Sequence, residues 1–278
     1  MKPWLRTVLI IIFAAIFVVS AWMLLDYLIE SQKQQDTFDQ LADLVQSYTP
    51  TEPIPTEPPE NPDETQPPTE PPSPWVEVTN QKGETVQVLP QYAELYKINN
   101  DVVGWLTIEG TKINYPVMQT PGKKDYYLRR DFYGDYSSAG CLYAREECDI
   151  NTPSDNITIY GHNMRNGSMF AGLLKYRSGG KTFYEEHRYI TFDTLTEHHV
   201  YEIFAVFDTT ASIGEGFDYH NFIEGNKDDF EAFVYECLHL SYYDTGIVPE
   251  YGDKLITLST CEYTQTNGRL VVVARQIS

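Results

Sequence analysis

Basic residues are scarce in this chain: 20 Lys and Arg stand against 40 Asp and Glu, a formal net charge of −20 over 278 residues. Gripping a phosphate backbone needs a basic surface, so this deficit excludes nucleic acid as a partner and points to an acidic, soluble exterior. A glycine-rich phosphate loop is missing, and no histidine pair stands at metal-ligand spacing apart from His198-His199. Those two point to opposite sides of an expected strand, and with His187 and His220 they read as solvated or sheet-face residues. Nucleotide and metal chemistry are therefore unsupported, and neither a metal nor another cofactor is expected. No internal repeat is visible.

Composition changes along the chain, which leaves a globular part nearer 200 residues than 278. Residues 8–25 are apolar except for Ser20, and as a helix they would reach roughly 27 Å, close to a hydrocarbon core of about 30 Å. Lys2 and Arg6 precede this run while Asp26 and Glu30 follow it. Positive-inside bias then leaves the N-terminus in the cytoplasm and everything after Leu25 outside. A cleaved signal peptide is the alternative, with Val19-Ser20-Ala21 as a loose cleavage site. The run exceeds the roughly 7 to 15 residues of a usual signal core, so an uncleaved single-span anchor, residues 1–25, is expected. Residues 26–48 continue with helix formers, with Phe38, Leu41 and Val45 on one face, as a short helical stalk. Residues 49–74 hold 11 of the 17 prolines and no basic residue; such a segment cannot bury a core and is expected to be a disordered, partly polyproline linker.

Four cysteines in an exported chain could pair as two disulfides, but a domain of this size completes its core without them. Cys141 and Cys237 sit among apolar neighbours and are expected to be buried; a Cys141–Cys148 bridge across a turn is geometrically open. From residue 75 onward short β-branched and aromatic runs alternate with turn signals. Strands are expected over 104–108, 113–118, 140–144, 157–160, 189–193, 200–207, 255–260 and 270–274. Helices are expected over 89–98, 168–176 and Lys227 to Leu240, the last with Phe230, Phe233, Val234 and Cys237 inward. Many short strands with a few inserted helices favour a closed β-barrel over a sandwich.

Thr257-Leu258-Ser259-Thr260-Cys261 is the stretch where chemistry concentrates. Its alternation reads as a buried strand that runs out at Cys261, and Asn267-Gly268 turns the chain into a returning strand that starts at Arg269. A lone strand-end cysteine is usually a small core residue. Here, however, Ile157-Thr-Ile-Tyr160 runs into Gly161-His162-Asn163-Met164, which puts an imidazole at another strand end beside a flexible glycine. Nucleophile, acid/base and anion stabiliser would then share one rim.

Thr-Leu-Ser-Thr-Cys with Arg eight residues on, and Ile-Tyr-Gly-His-Asn-Met upstream, closely resemble the active-site motifs of sortases, specifically class B. The resemblance extends from about Trp75 to the C-terminus and includes Asn100-Asp-Val-Val-Gly-Trp-Leu-Thr-Ile, Ile113-Asn-Tyr-Pro-Val and Asn166-Gly-Ser-Met-Phe170. It implies a mainly β fold with inserted helices: an eight-stranded barrel over 75–278, with N-terminal helices and a long helix before the penultimate strand. It also implies a cysteine transpeptidase. Cys261 would attack the threonine carbonyl of a C-terminal sorting signal of the Asn-Pro-X-Thr kind on a surface protein. His162 would protonate the leaving amine and then deprotonate the acceptor, an amine of a peptidoglycan precursor or of a pilin subunit. Arg269 would hold the substrate and the developing oxyanion.

By the same resemblance Ser259 and Glu262 would contact the substrate, with a sheet hydroxyl and a solvated loop charge as their ordinary alternatives, and Leu128 would match a pocket leucine. Some relatives carry Asp two residues after the cysteine; this chain has Tyr263, so no Asp-assisted mechanism is carried over. Arg275 competes with Arg269 but would lie roughly 20 Å away at the far end of its strand. Two other functions use the same residues or none of them. One is a cysteine protease that only hydrolyses, although papain-type enzymes place cysteine before histidine, the reverse of the order here. The other is a non-catalytic barrel that binds cell-wall ligands.

Overall fold

The computed structural model describes residues 3–47, 74–80, 83–212, 214–264 and 266–278. The expected linker, 49–74, falls outside the described residues except for Pro74. Two compact units emerge, 1–40 and 41–278. The first is helical. Helix α1 (Pro3–Gln46) passes residue 25 without a break, because residues 26–46 contain neither glycine nor proline to stop it. It is long and apolar enough to cross a membrane. Phe13 and Phe17 are 68% and 73% exposed on it, as suits a helix that is apolar all round rather than one with a single buried stripe.

After the last turns of α1, the second unit continues with a hairpin, β1 (Val76–Thr79) and β2 (Thr85–Val88), then α2 (Ala93–Ile98). Eight further strands follow: β3 (Val102–Thr107), β4 (Asn114–Met118), β5 (Leu142–Ala144), β6 (Asn156–Tyr160), β7 (Tyr189–Thr194), β8 (Val200–Thr210), β9 (Leu255–Cys261) and β10 (Gly268–Gln276). Short helices α3 (Leu174–Ser178) and α4 (Gly180–Glu186) precede β7, and α5 (Lys227–Leu240) precedes β9. The eight close into a barrel in the order β10-β8-β7-β3-β4-β5-β6-β9. Two of its pairings, β4 with β5 and β6 with β9, are parallel.

All eight barrel strands coincide with the expected runs to within a few residues. The β1–β2 hairpin is not among those expectations, since only Val78 and Val88 of its eight residues are buried and so short an apolar signal reads as loop. The helix expected over 168–176 is instead a 3-10 turn, Phe170–Leu173, leading into α3. Helix α5 begins and ends as its amphipathic pattern predicts. Asn226 caps it, accepting from the Asp228 and Asp229 amides, while the Asp229 carboxylate accepts from the Asn226 amide.

Phe230, Phe233, Val234 and Cys237 of α5 pack with Phe207, Leu255, Val271 and Val273 of the barrel wall. Ile256, Leu258, Leu270 and Val272 alternate onto the opposite face and are also fully buried. With both faces covered, β9 is buried along its whole length until Cys261.

The cysteines are all free: Cys141, Cys148 and Cys237 are buried and Cys261 is partly exposed. The open possibility of a Cys141–Cys148 bridge is thus settled against; the Cys148 thiol instead donates to the Asn156 carbonyl. Burial pushes the Cys141 and Cys237 thiols up in pKa. Since each fills a closed site, Cys141→Ala and Cys237→Ala should each cost about 1 kcal/mol and lower Tm by about 2 to 4 °C. Thermal melts of the full chain in detergent check this; unchanged melting would show that neither thiol packs as described.

Candidate active site

The β6–β9 pairing runs in register from Asn156 opposite Leu255 to Tyr160 opposite Ser259. The Gly161 amide extends it by donating to the Ser259 carbonyl at 3.1 Å. Continued two residues beyond its last pair, Tyr160 opposite Ser259, the same register brings His162 level with Cys261. On the other side of β9, Arg269 is paired directly with Cys261 across the antiparallel ladder to β10. Imidazole, thiol and guanidinium therefore stem from one row across three neighbouring strand ends. Arg275 does not join them: it pairs with Leu255 at the other end of β9 and lies 3.8 Å from Glu202 and 3.9 Å from Asp253.

Short polar bonds fix this row. Thr260 Oγ1 donates to the Gly161 carbonyl at 2.8 Å, and Asn163 Nδ2 donates to the Cys261 carbonyl at 3.0 Å. The loop after His162 is closed at its base by the Phe170 amide, which donates to the His162 carbonyl at 2.9 Å. Gly161 is required for space rather than for flexibility. Its φ is not positive, but a Cβ there would run into the Leu142 side chain and the Phe170 ring.

His162 Nε2 lies 2.9 Å from the Leu128 carbonyl. A carbonyl only accepts, so Nε2 carries the proton and Nδ1 keeps its lone pair. Burial, with the nearby Arg129 charge adding to it, holds the His162 pKa below the usual imidazole value despite that bond. The neutral ring is the resting form at neutral pH. Leu128 thus meets the site through its backbone carbonyl, and its side chain is half-buried. Arg269 is half-buried and folds Nη1 back onto the carbonyls of Asn267 and Gly268, at 3.2 and 2.9 Å.

Ser259 and Glu262 sit beside the thiol but are turned inward. The Ser259 hydroxyl is buried and 2.6 Å from the Tyr219 hydroxyl, so any substrate must share it with that tyrosine. Glu262 is the larger departure from a solvated or substrate-facing charge. Its side chain is 1% exposed, accepts from the amide and hydroxyl of Thr264, and pairs with Arg177 at 3.0 Å. Tyr219, Arg177 and Asn163 thus enter the site without having been singled out from the sequence. Only Asn163 carried a signal, its place directly after the histidine. Two other histidines are also less exposed than their pattern suggests. His199 is buried with Nδ1 3.0 Å from Gln276, and His220 is half-buried beneath an Arg145 contact to its carbonyl.

A partly exposed thiol, a neutral imidazole level with it and a guanidinium directly across the ladder can together supply nucleophile, proton carrier and anion donor. Comparison with known proteins points the same way. The sortase domain matches residues 106–277. Sortase B of Staphylococcus aureus is 33% identical over 195 residues, covering 68% of this chain and 76% of that protein. Sortase B of Listeria monocytogenes is 34% identical over 202 residues, covering 72% and 78%. Among solved structures, the Staphylococcus aureus sortase B–substrate complex superposes with a TM-score of 0.70 at 26% identity, covering 90% of this chain and 99% of that one. With these matches falling on an eight-stranded closed barrel, the chain belongs to the sortase family of cysteine transpeptidases, in its class B branch.

Proposed function

We propose that residues 75–278 form the catalytic domain of a membrane-anchored transpeptidase in which Cys261, His162 and Arg269 carry the reaction. The supporting observation is the shared row of these three residues across β6, β9 and β10. The Cys261 thiolate attacks the threonine carbonyl of a sorting signal of the Asn-Pro-X-Thr kind. The peptide C–N bond breaks, the imidazolium form of His162 gives its Nδ1 proton to the departing amine, and a thioester remains on Cys261. An incoming amine, from a peptidoglycan precursor or a pilin subunit, then attacks that thioester and loses a proton to His162. The new amide forms and the thiolate is released. Arg269 donates to the oxyanion that develops in both steps, while Leu128 lines the substrate groove and Ser259 meets the substrate through the hydroxyl it shares with Tyr219.

Burial of His162 makes it a ready proton acceptor and a scarce proton donor at neutral pH. Attack by a thiolate therefore draws on a minor imidazolium population. Anchoring follows from α1. Residues 1–25 hold the chain in the membrane with the N-terminus cytoplasmic, and the barrel works on the outer face.

Incubating the full chain in detergent with Asn-Pro-X-Thr peptides, with and without an added amine, tests the reaction class. Cys261→Ala should abolish both cleavage and amide product with little change in Tm, since a strand-end thiol packs loosely. Cleavage that never yields an amide adduct would make the protein a hydrolase, and cleavage by Cys261→Ala at the wild-type rate would remove that thiol from the mechanism.

Topology is tested on intact cells. Protease added outside should digest residues beyond Leu25 while the protein stays in the membrane fraction; a mature N-terminus at Trp22 would show a cleaved signal instead.

For the arginine, geometry sets the expectation. A planar fork can hold an oxyanion and a neighbouring carbonyl at once, whereas an ammonium offers a point charge on a mobile stem. Arg269→Lys should therefore be nearly as damaging as Arg269→Ala, by about a hundredfold to a thousandfold in kcat/KM, equivalent to about 2.7 to 4 kcal/mol. Arg275→Lys should be almost silent. An active Arg269→Lys beside an inactive Arg275→Lys would move the role from Arg269 to Arg275.

A further inference from the structure

One charged cluster beside the thiol has no part in the reaction as written. Arg177 on α3 donates through Nη1 to Asp208 Oδ2 on β8 at 2.6 Å and lies 3.0 Å from Glu262 Oε1. Glu262 is the residue directly after Cys261. Burial opposes its charge, yet the bonds from Thr264 and Arg177 hold its carboxyl below the usual range. Glu262 is 1% exposed but Arg177 is 29% exposed, and such a half-buried ion pair adds little to stability once desolvation and solvent screening are counted. A pair kept at this position therefore calls for a role other than stability.

The backbone supplies one. The Glu262 amide donates to the Gly268 carbonyl at 2.9 Å, forming the last rung before the turn. Inside the turn, the same carboxylate accepts from the Thr264 amide and hydroxyl, each at 2.8 Å. On its far side the turn is tied to the end of β8: Thr210 Oγ1 donates to the Thr266 carbonyl at 3.0 Å and the Ala211 amide to the Asn267 carbonyl at 2.9 Å. Asn267, at φ 52°, then reverses the chain into Arg269. Glu262 is thus the peg on one flank of the turn and Arg177, on α3 and held by Asp208 of β8, its fixed counterpart. Without Arg177, two carboxylates, Glu262 and Asp208, would face each other with no cation between them, and the Glu262 flank would move outward.

We propose that Arg177 and Glu262 are positioning residues: their ion pair locks the Glu262–Thr264 flank of the turn into β10 and thereby sets the spacing between the Cys261 thiol and the Arg269 guanidinium. The proposal rests on the reading of Cys261 and Arg269 as the reacting pair. It also assigns the Glu262 carboxylate to the turn rather than to the substrate.

The test compares Arg177→Met, Glu262→Gln and the double variant, each as the full chain in detergent, for kcat, KM and Tm with an Asn-Pro-X-Thr peptide. Each single change should lower kcat about 10- to 100-fold with KM nearly unchanged, because a small misplacement of reacting groups is costly. The double variant should fall no further than the worse single one, since both cut the same link. Arg177→Lys, which keeps a cation against both carboxylates, should recover most of the rate. A wild-type kcat in Arg177→Met, or defects that multiply in the double variant, would overturn the proposal. So would a raised KM in Glu262→Gln alone, which would make that carboxylate a substrate contact. If Arg177→Met does not fold, Thr264→Val replaces it: a lower kcat at unchanged KM supports the lock, and an unchanged kcat refutes it. An inactive Cys261→Ala beside a fully active Arg177→Met sinks this proposal alone, whereas an active Cys261→Ala sinks the reading beneath it.

Discussion

The parallel ladder between β6 and β9 is the constraint on which the site depends. Parallel neighbours cannot be joined by a tight turn, so a long crossover must separate them in sequence. Here the crossover contains, among the described residues, β7, β8 and three α-helices. Registration over that distance is secured at both ends of the ladder. At its foot, buried Asn156 donates to the Phe222 carbonyl at 2.9 Å and accepts from Thr257 Oγ1 at 2.8 Å, a satisfied polar link that a shifted register would leave broken. At its head, Gly161 offers no side chain where none would fit. A slip of one residue would turn every side chain to the other face and carry His162 out of line with Cys261.

Much of this was legible in the sequence because it lies in local pattern. Strand periodicity located β3 to β10, and Asn267-Gly268 marked the reversal that brings Arg269 opposite Cys261. The resemblance carried by Thr257 to Cys261 and by Tyr160 to Met164 pointed to the barrel and its chemistry. What stayed hidden is what long-range pairing decides. Arg177 is 85 residues from Glu262 in sequence (262 − 177), and nothing around either residue advertises the other. Tyr219 meets Ser259 only because the segment after β8 folds back over β9. An acidic residue beside a turn ordinarily reads as solvated, and only the packing of α3 against β8 turns Glu262 into a buried one. The β1–β2 hairpin was missed for a related reason, since its two buried valines act only when paired.

Electrostatics at the site run against the character of the chain as a whole. The protein carries a net charge of −20, yet the groups acting on His162 and Tyr263 beside the thiol include Arg129, Arg165 and Arg269. Basic residues are few, and three of them gather around His162 and Tyr263, where the proposed thiolate and oxyanion would be stabilised. The acidic remainder keeps the surface soluble without competing for that role.

Closure of the barrel also limits how a peptide can be read. Both edges of β9 are occupied, one by β6 and the other by β10, so the strand that delivers the thiol has no free row of amides and carbonyls. Recognition by strand addition, in which an extended ligand completes a sheet edge and is held through its main chain, is closed to it there. An extended ligand reaching Cys261 must instead lie across strand ends, where loops and side chains do the reading. Selectivity at such a site can change with a loop while the barrel beneath it stays as it is.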